Sequence, residues 1–381
     1  MALRNWAAAY FHYLTGSGAH HCWDWPALAL LRGAAWLYRK GVLAKYHAIA
    51  DHPERQEHVP AVVISLGNIT VGGTGKTPTA CMLARRLQSQ VWRVALLNRG
   101  YRSQREDGGA AVMSDGQRVL LSAEEGGDEA CLMARSLPGI PVLVGRKRAL
   151  GGRLAVERFG TQVLILDDGF QHWQLYRDLD IVPVDGTNPF GNGHVLPRGI
   201  LREPMEQLGR ADAFIITKGD QITQDRAEAI AAKLRQYNPA APVAMAIHKP
   251  SSCLAFAAWH DGKSDGSGVL RPDGQSVLAV SALGNPASFE RTLADAGFTV
   301  AGSLRYEDHH HYSRDDIRHM AARTAETGCL LVTTEKDAVK LPAPLIKEYD
   351  LPLYVLSITI EFTAGQDQID TILQAVLEDK L

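Results

Sequence analysis

The run Val62-Val-Ile-Ser-Leu-Gly-Asn-Ile-Thr-Val-Gly-Gly-Thr-Gly-Lys-Thr-Pro78 decides the fold. Its first five residues, Val62 to Leu66, read as a short buried strand. Gly72, Gly73, Thr74 and Gly75 then form a turn whose backbone N–H groups can approach phosphate oxygens. The helix that follows adds its positive end. Lys76 is placed to reach β- and γ-phosphates and the Thr77 hydroxyl to ligate Mg²⁺. Pro78 falls in the first helical turn, where a missing N–H does little harm. The usual GxxxxGK[ST] spacing wants glycine where this chain has Thr70, but the strand–turn–helix context is intact. Alone, this cradle is a binding signature and does not separate a kinase from a motor or switch ATPase.

Outward from the cradle, short apolar runs alternate with helical stretches. Val94 to Leu97, Pro141 to Val144, Val163 to Leu166, Ile181 to Val184 and Ala213 to Thr217 read as further strands, with a helix around Pro78 to Leu87. Such runs indicate βαβ units and a parallel sheet covered on both faces. The expected class is α/β, a doubly wound, mostly parallel sheet of P-loop NTPase type with a second, smaller α/β domain. The second series of strands is Val243 to Ile247, Ser276 to Val280, Thr299 to Leu304 and Leu330 to Thr333, with helices around Ala287 to Ala296 and Arg314 to Thr327. The polar, Gly-rich stretch from His260 to Gly268 reads as an exposed loop. The expected divisions are an N-terminal segment 1–50, a nucleotide-binding core 51–240 and a C-terminal domain 241–381.

Composition sets limits. At about 150 residues per domain, 381 residues make two domains with an added segment. A chain 46% hydrophobic and 22% charged is not disordered, collagen-like or coiled-coil. Forty basic against 42 acidic residues, net −2, give no global reason to bind nucleic acid. Five scattered cysteines without a CxxC pair argue against a disulfide framework and for a reducing compartment. The N-terminus lacks a signal-like apolar core and is read as retained.

From Trp25 to Tyr46, Leu28, Leu30, Leu31, Trp36, Leu37, Tyr38 and Leu43 mix with Arg32, Arg39, Lys40 and Lys45, without an acid. That pattern fits an interfacial helix on an anionic membrane surface, with cations on lipid phosphates and Trp and Tyr at headgroup level. It equally fits an ordinary amphipathic helix packed on the domain.

Asp167 and Asp168 end the apolar run from Val163 as a metal-binding carboxylate should. Adjacent residues of a strand face opposite ways, so the two are expected to have different tasks. The plainer reading is a turn or helix cap. For the proton of an acceptor hydroxyl, three places qualify: Gly126 to Glu129, Gly169 to His172, and Asp308 to Tyr312. Three histidines in a row, His309 to His311, cannot converge on one metal without a sharp bend.

Together these residues resemble a known family, the tetraacyldisaccharide 4'-kinases. The resemblance rests on Gly72 to Pro78, Arg99-Gly-Tyr101, Gly127-Asp-Glu129, Asp167-Asp-Gly-Phe-Gln-His172, Leu201-Arg-Glu-Pro204, Asp308-His-His310 with Tyr312, and Thr333-Thr-Glu-Lys-Asp-Ala-Val-Lys340. It implies transfer of the ATP γ-phosphate, with Mg²⁺, to the 4'-hydroxyl of a tetraacyl disaccharide 1-phosphate in lipid A biosynthesis. It further implies a peripheral enzyme on the cytoplasmic face of the bacterial inner membrane. Asp128 is implied as catalytic base with His309 paired to it, Lys76 and Thr77 as cradle and magnesium residues, and Asp167 and Asp168 as the acids near metal. Gln171 is implied to lie beside the nucleotide, and Arg202 to neutralise phosphate. Asn98 where serine is expected, Arg102 after Tyr101 where glycine is usual, and Arg198-Gly-Ile200 before Leu201 depart from the family pattern. The role of the Thr333–Lys340 block and the oligomeric state stay open. The competing reading is a membrane-associated switch or partitioning ATPase, which needs only a positioned water and no acceptor-side carboxylate.

Overall fold

Every position of Val62–Leu66, Val94–Asn98 and Val163–Asp167 is buried, as in strands covered by helices on both faces. The computed structural model describes residues 10, 13–16, 18, 21–101, 109–262, 268–307 and 310–380. Its strands are β1 Val62–Leu66, β2 Val94–Asn98, β3 Ala111–Ser114, β4 Val142–Val144, β5 Val163–Asp167, β6 Leu179–Asp185, β7 Ala213–Thr217, β8 Val243–Ala255, β9 Ser276–Ser281, β10 Thr299–Arg305, β11 Leu330–Thr334 and β12 Leu353–Ala364. Among the described residues they form one 12-stranded sheet in the order β10-β9-β11-β12-β8-β7-β6-β1-β5-β2-β4-β3.

All neighbours are parallel except β3 with β4 and β12 with β8. The long antiparallel pair β8–β12 joins two parallel halves. The near end of β8 pairs with β7 from Phe214↔Val243 to Ile216↔Met245, while the far end of β12 pairs with β11 from Leu331↔Leu353 to Thr334↔Leu356. The boundary expected near residue 240 falls just before this ribbon.

The strands alternate their side chains between two cores. Val62, Ile64 and Leu66 face the helix α2, Lys76–Ser89, through its Ala80, Leu83, Ala84 and Leu87. Val63, Leu164 and Leu166 face the other way, onto Ala149 and Ala155 of the helix Arg148–Phe159. Before them in the chain lies α1, Trp25–Ala50, whose Ala35 enters a third cluster with Phe170, Leu201 and Phe214. Two strands escaped the sequence reading, β3 and β12. The alternation of β12 is blurred because one end lies in a core and the other is exposed.

Parallel register brings the carboxyl ends of β1, β5 and β2 level: Leu66 lies opposite Asp167, and Leu97 opposite Leu166. Gly67, the first residue past β1, can only be glycine. A Cβ there would lie 2.4 Å from the Phe170 nitrogen and 2.6 Å from its Cβ. Gly67→Ala is therefore expected to cost about 1–3 kcal/mol through overpacking against backbone and to displace the loop after β1. Urea unfolding checks this, and an unchanged midpoint would mean the Phe170 segment yields freely.

Candidate active site

The loop after β1 is held from outside at each step. Val71 N donates to Ile200 O at 2.8 Å and Arg202 N to Ile69 O at 2.6 Å. Gln171 Nε2 donates to Asn68 O at 2.8 Å and Thr217 Oγ1 to Thr74 O at 3.0 Å. Gly75 sits at φ +79, in the left-handed region, as the residue before α2. A Cβ on Gly72 or Gly73 would meet nothing within 4 Å, so the cradle's mouth is open to a phosphate chain. The segment Arg198 to Ile200, a departure from the family pattern, is part of this strap, and Arg198 itself donates to Leu14 O at 2.9 Å.

Lys76, the first residue of α2, points its ammonium to Asn68 Oδ1 at 3.1 Å and Asp168 Oδ1 at 3.5 Å. Arg202 Nη1 reaches both Asp168 oxygens at 2.8 Å and Gln171 Oε1 at 3.4 Å. Two cations thus converge on one carboxylate at the strand ends. Burial alone would raise the Asp168 carboxyl, but Lys76 and Arg202 outweigh it and hold it below its usual range.

Asp167 is handled differently. It is 1% exposed. Its Oδ2 accepts from Asn98 Nδ2 at 2.9 Å and lies 3.4 Å from Thr77 Oγ1, while its Oδ1 is buried without a hydrogen-bond partner. Burial, then Glu129 and Asp168, push it up to about 7. The turn between the two acids comes from Asp168 itself, at φ +55. A carboxylate with an orphaned oxygen beside a hydroxyl, at the mouth of a phosphate cradle, is the oxygen-rich donor set that a hard divalent cation takes, with phosphate and water completing it. Thr77 and Asp167 therefore fit Mg²⁺. Both oxygens of Asp168 are already engaged by Arg202.

Gly127, at φ +96, precedes Asp128, which opens the helix α3, Asp128–Ser136. A Cβ on Gly127 would come within 3.3 Å of Tyr101 O and 3.5 Å of Gly100. The Gly100 amide in turn donates to Asn98 Oδ1 at 2.7 Å. The contacts therefore run from Asp167 through Asn98 and Gly100 to the start of α3, and Glu129 is near enough to raise Asp167. Asp128 thus opens its helix directly after a glycine packed on the Gly100–Tyr101 turn that follows β2. Its expected partner His309, like Arg102, lies outside the described residues. His310 is bound elsewhere, with Nε2 2.9 Å from Asp316 Oδ2 and its ring stacked 4.8 Å from Tyr306.

Asn68, Asn98, Thr217 and Arg148 were not read from the sequence as site residues. Arg148 is 3% exposed, and its Nη2 lies 3.4 Å from Asp167 O. Asn98 had been read only as a departure, yet its amide carries the link from Asp167 to Gly100. Part of the Thr333–Lys340 block ties the fold together. Asp337, 0% exposed, accepts from Ala282 N at 3.1 Å and Thr334 Oγ1 at 2.8 Å, and pairs with Lys340 at 2.8 Å.

With this geometry in hand, comparison with known proteins is specific. The family model LpxK, tetraacyldisaccharide-1-P 4'-kinase, matches residues 27–378. The tetraacyldisaccharide 4'-kinase of Halothermothrix orenii is 39% identical over 378 residues, 96% of this chain and 97% of that protein. That of Anaeromyxobacter sp. strain K is 43% identical over 352 residues, 92% and 88% of the two. The crystal structure of the "apo" form of LpxK from Aquifex aeolicus in complex with ATP superposes with a TM-score of 0.71 at 28% identity, covering 92% of this chain and 99% of that one.

His172, behind the paired acids, is pushed down to about 3, first by burial and then by Arg148, Arg177 and Arg99. Below about pH 6.5 the unfolded chain protonates this histidine while the native state does not, so its contribution to stability is full above that pH and is lost as pH falls towards 3. His172→Gln is expected to flatten the acid limb of the stability curve by up to about 2 kcal/mol between pH 6.5 and 5. Urea unfolding at the two pH values measures it, and an identical slope in both proteins would place His172 in solvent.

Proposed function

The chain belongs to the tetraacyldisaccharide 4'-kinase family and is an ATP-dependent kinase of lipid A biosynthesis; on that premise we propose how its residues perform the transfer. The carrying observation is the convergence of Lys76 and Arg202 on Asp168 while Asp167, one oxygen 3.4 Å from Thr77 Oγ1 and the other without a partner, lies buried next to Asp168 in sequence. The competing reading of a partitioning or switch ATPase is not favoured.

In the reaction the 4'-oxygen of the acceptor bonds to the γ-phosphorus, the bond from that phosphorus to the β–γ bridging oxygen breaks, and ADP leaves. Gly72, Gly73, Thr74 and Gly75 bind the phosphate chain with their N–H groups. Lys76 shifts from Asp168 towards the β- and γ-phosphates, and Arg202 stabilises charge on the transferring group. Thr77 and Asp167 would hold Mg²⁺, which when bound neutralises charge on the β- and γ-oxygens. Asp168 holds the two cations in place until phosphate replaces it. Asp128 orients the acceptor hydroxyl and takes its proton, with His309 as its partner. Gln171 acts as a strut, its Nε2 tied to Asn68 O and Glu203.

The acceptor carries buried acyl chains and an exposed sugar, so its enzyme must work at a lipid surface. One side of α1 docks on the core through Leu28, Ala35, Tyr38 and the Arg39–Glu206 pair at 3.1 Å. The opposite side bares Trp25 (67% exposed), Leu30 (76%), Trp36 (59%) and Leu37 (65%). Arg32 and Lys40 are exposed alongside, with Lys40 Nζ 5.8 Å from the Trp36 ring. This side supports peripheral binding to the anionic cytoplasmic face of the inner membrane. Among the described residues no helix is long and apolar enough to cross a membrane. The division at residue 240 fits a closure of the two halves that excludes water.

Mass spectrometry after incubation with ATP and the disaccharide 1-phosphate is expected to find one new phosphate, at the 4' position. ATP turnover without the acceptor would revive the switch reading. Asp128→Ala is expected to lower kcat roughly 10²- to 10⁴-fold with KM for ATP nearly unchanged; a large loss of ATP affinity with normal turnover refutes the base. Arg32→Glu with Lys40→Glu is expected to cut sedimentation with anionic vesicles sharply, at about 1 kcal/mol per cation lost, without altering turnover of detergent-dispersed substrate. Unchanged sedimentation would remove the membrane role of α1.

A further inference from the structure

The helix α3 begins at Asp128 and is gripped at its other end by the C-terminal half. Its Ala130, Met133 and Ala134 enter the same core as Ala80, Leu83 and Leu87 of α2. Leu132 turns away from that core and packs against the one built around Phe256, Trp259 and Leu278. Side chains four and seven positions on from a helical residue share its face. Asp128, Leu132 and Arg135 therefore line up along the side of α3 that meets the C-terminal half.

Arg135 makes the polar part of this contact. Its Nη1 donates to His260 O at 2.5 Å, and its Cζ lies 5.6 Å from the centroid of the Trp259 ring, where a guanidinium is drawn to the π face. Trp259 is itself fixed: it is buried, its Nε1 donates to Glu335 Oε1 at 3.3 Å, and the same oxygen accepts from Ser357 Oγ of β12 at 2.8 Å. The joint thus runs from β12 through Glu335 and Trp259 to Arg135. One residue further it crosses to the cradle helix, because Ser136 O, at the end of α3, accepts from Arg85 Nη2 of α2 at 2.7 Å. The two helices whose first residues are Lys76 and Asp128 are tied to each other at their far ends, beside the C-terminal half. At 1.5 Å per residue Arg135 stands about 10 Å along α3 from Asp128, so any effect it has on the acceptor passes through the helix.

We propose that Arg135 is a positioning residue for phosphoryl transfer: by gripping Trp259 and His260 it fixes the rotation of α3 against the C-terminal half, and with it the place of the Asp128 carboxylate. The proposal rests on Asp128 being the base. An α-helix is stiff over two turns, so a small rotation at the grip reappears at Asp128, and a displacement of about 1 Å there costs up to about 10²-fold in rate.

The test is a double-mutant cycle on the full chain with ATP, Mg²⁺ and detergent-dispersed disaccharide 1-phosphate, read as the single-turnover rate of transfer and KM for ATP. Arg135→Ala is expected to slow transfer roughly ten- to hundred-fold with KM for ATP within about two-fold of the parent. In an Asp128→Ala background the same substitution is expected to change the residual rate by less than about two-fold, because the group it positions is gone. If Arg135→Ala fails to fold, Arg135→Met, which keeps an apolar stem on Trp259 and drops the guanidinium, runs the same cycle. An unchanged transfer rate in the Arg135 variant, or an equal loss in both backgrounds, overturns the positioning role. Normal transfer by Asp128→Ala alone is a different result: it overturns the base assignment, and the proposal with it.

Discussion

Two adjacent carboxylates at the buried end of one strand are the constraint to which the rest of the site answers. Like charges this close in a poorly polarisable interior cannot both persist unless something separates them. Here the backbone separates them, because Asp168 turns to φ +55 and its side chain leaves the direction of the strand. Asp168 then meets Lys76 and Arg202 and stays ionised, while Asp167 remains beneath Asn98 and Thr77 with its affinity for a proton raised. One acid becomes an anchor for cations, and the other keeps an oxygen without a partner. On the proposed reading Lys76 and Arg202 are already held beside the cradle, so little reorganisation is needed when phosphate arrives.

The same cluster explains why the N-terminal helix matters to the core. The backbone oxygen of Arg202 accepts from Tyr38 OH at 3.1 Å, and Glu206, four residues on, pairs with Arg39. A helix whose outer side bares Trp25, Leu30, Trp36 and Leu37 is thereby bonded to the segment that carries Arg202. On the proposed reading, docking at the membrane and positioning of the site share one rigid connection.

Legibility followed range. Val62 to Leu66, the glycine turn and the start of α2 were readable because local conformational needs dictate them: burial on both faces, N–H groups free to bind anions, and a left-handed residue before the helix. The departures at Asn98 and Arg198 to Ile200 read as uncertainties in loop geometry, and the structure turns both into supports. Their roles were hidden because the partners, Asp167 and Leu14, lie 69 and 184 residues away in sequence. β12 was missed because a strand that runs from one core out to an exposed end has no single period to detect.

The order of residues along the chain was enough, by itself, to establish an α/β sheet with a glycine turn running into a helix at Lys76 and a pair of acids closing a buried strand, since each depends on neighbours within a few positions. Folding alone decided which acid would be neutralised by cations and which left open, because Thr77 and Asp167 are 90 residues apart, Asp168 and Arg202 34, and only the tertiary fold brings each pair together. A carboxylate's charge state depends on what surrounds it in space, and that is not written in any short stretch of the chain.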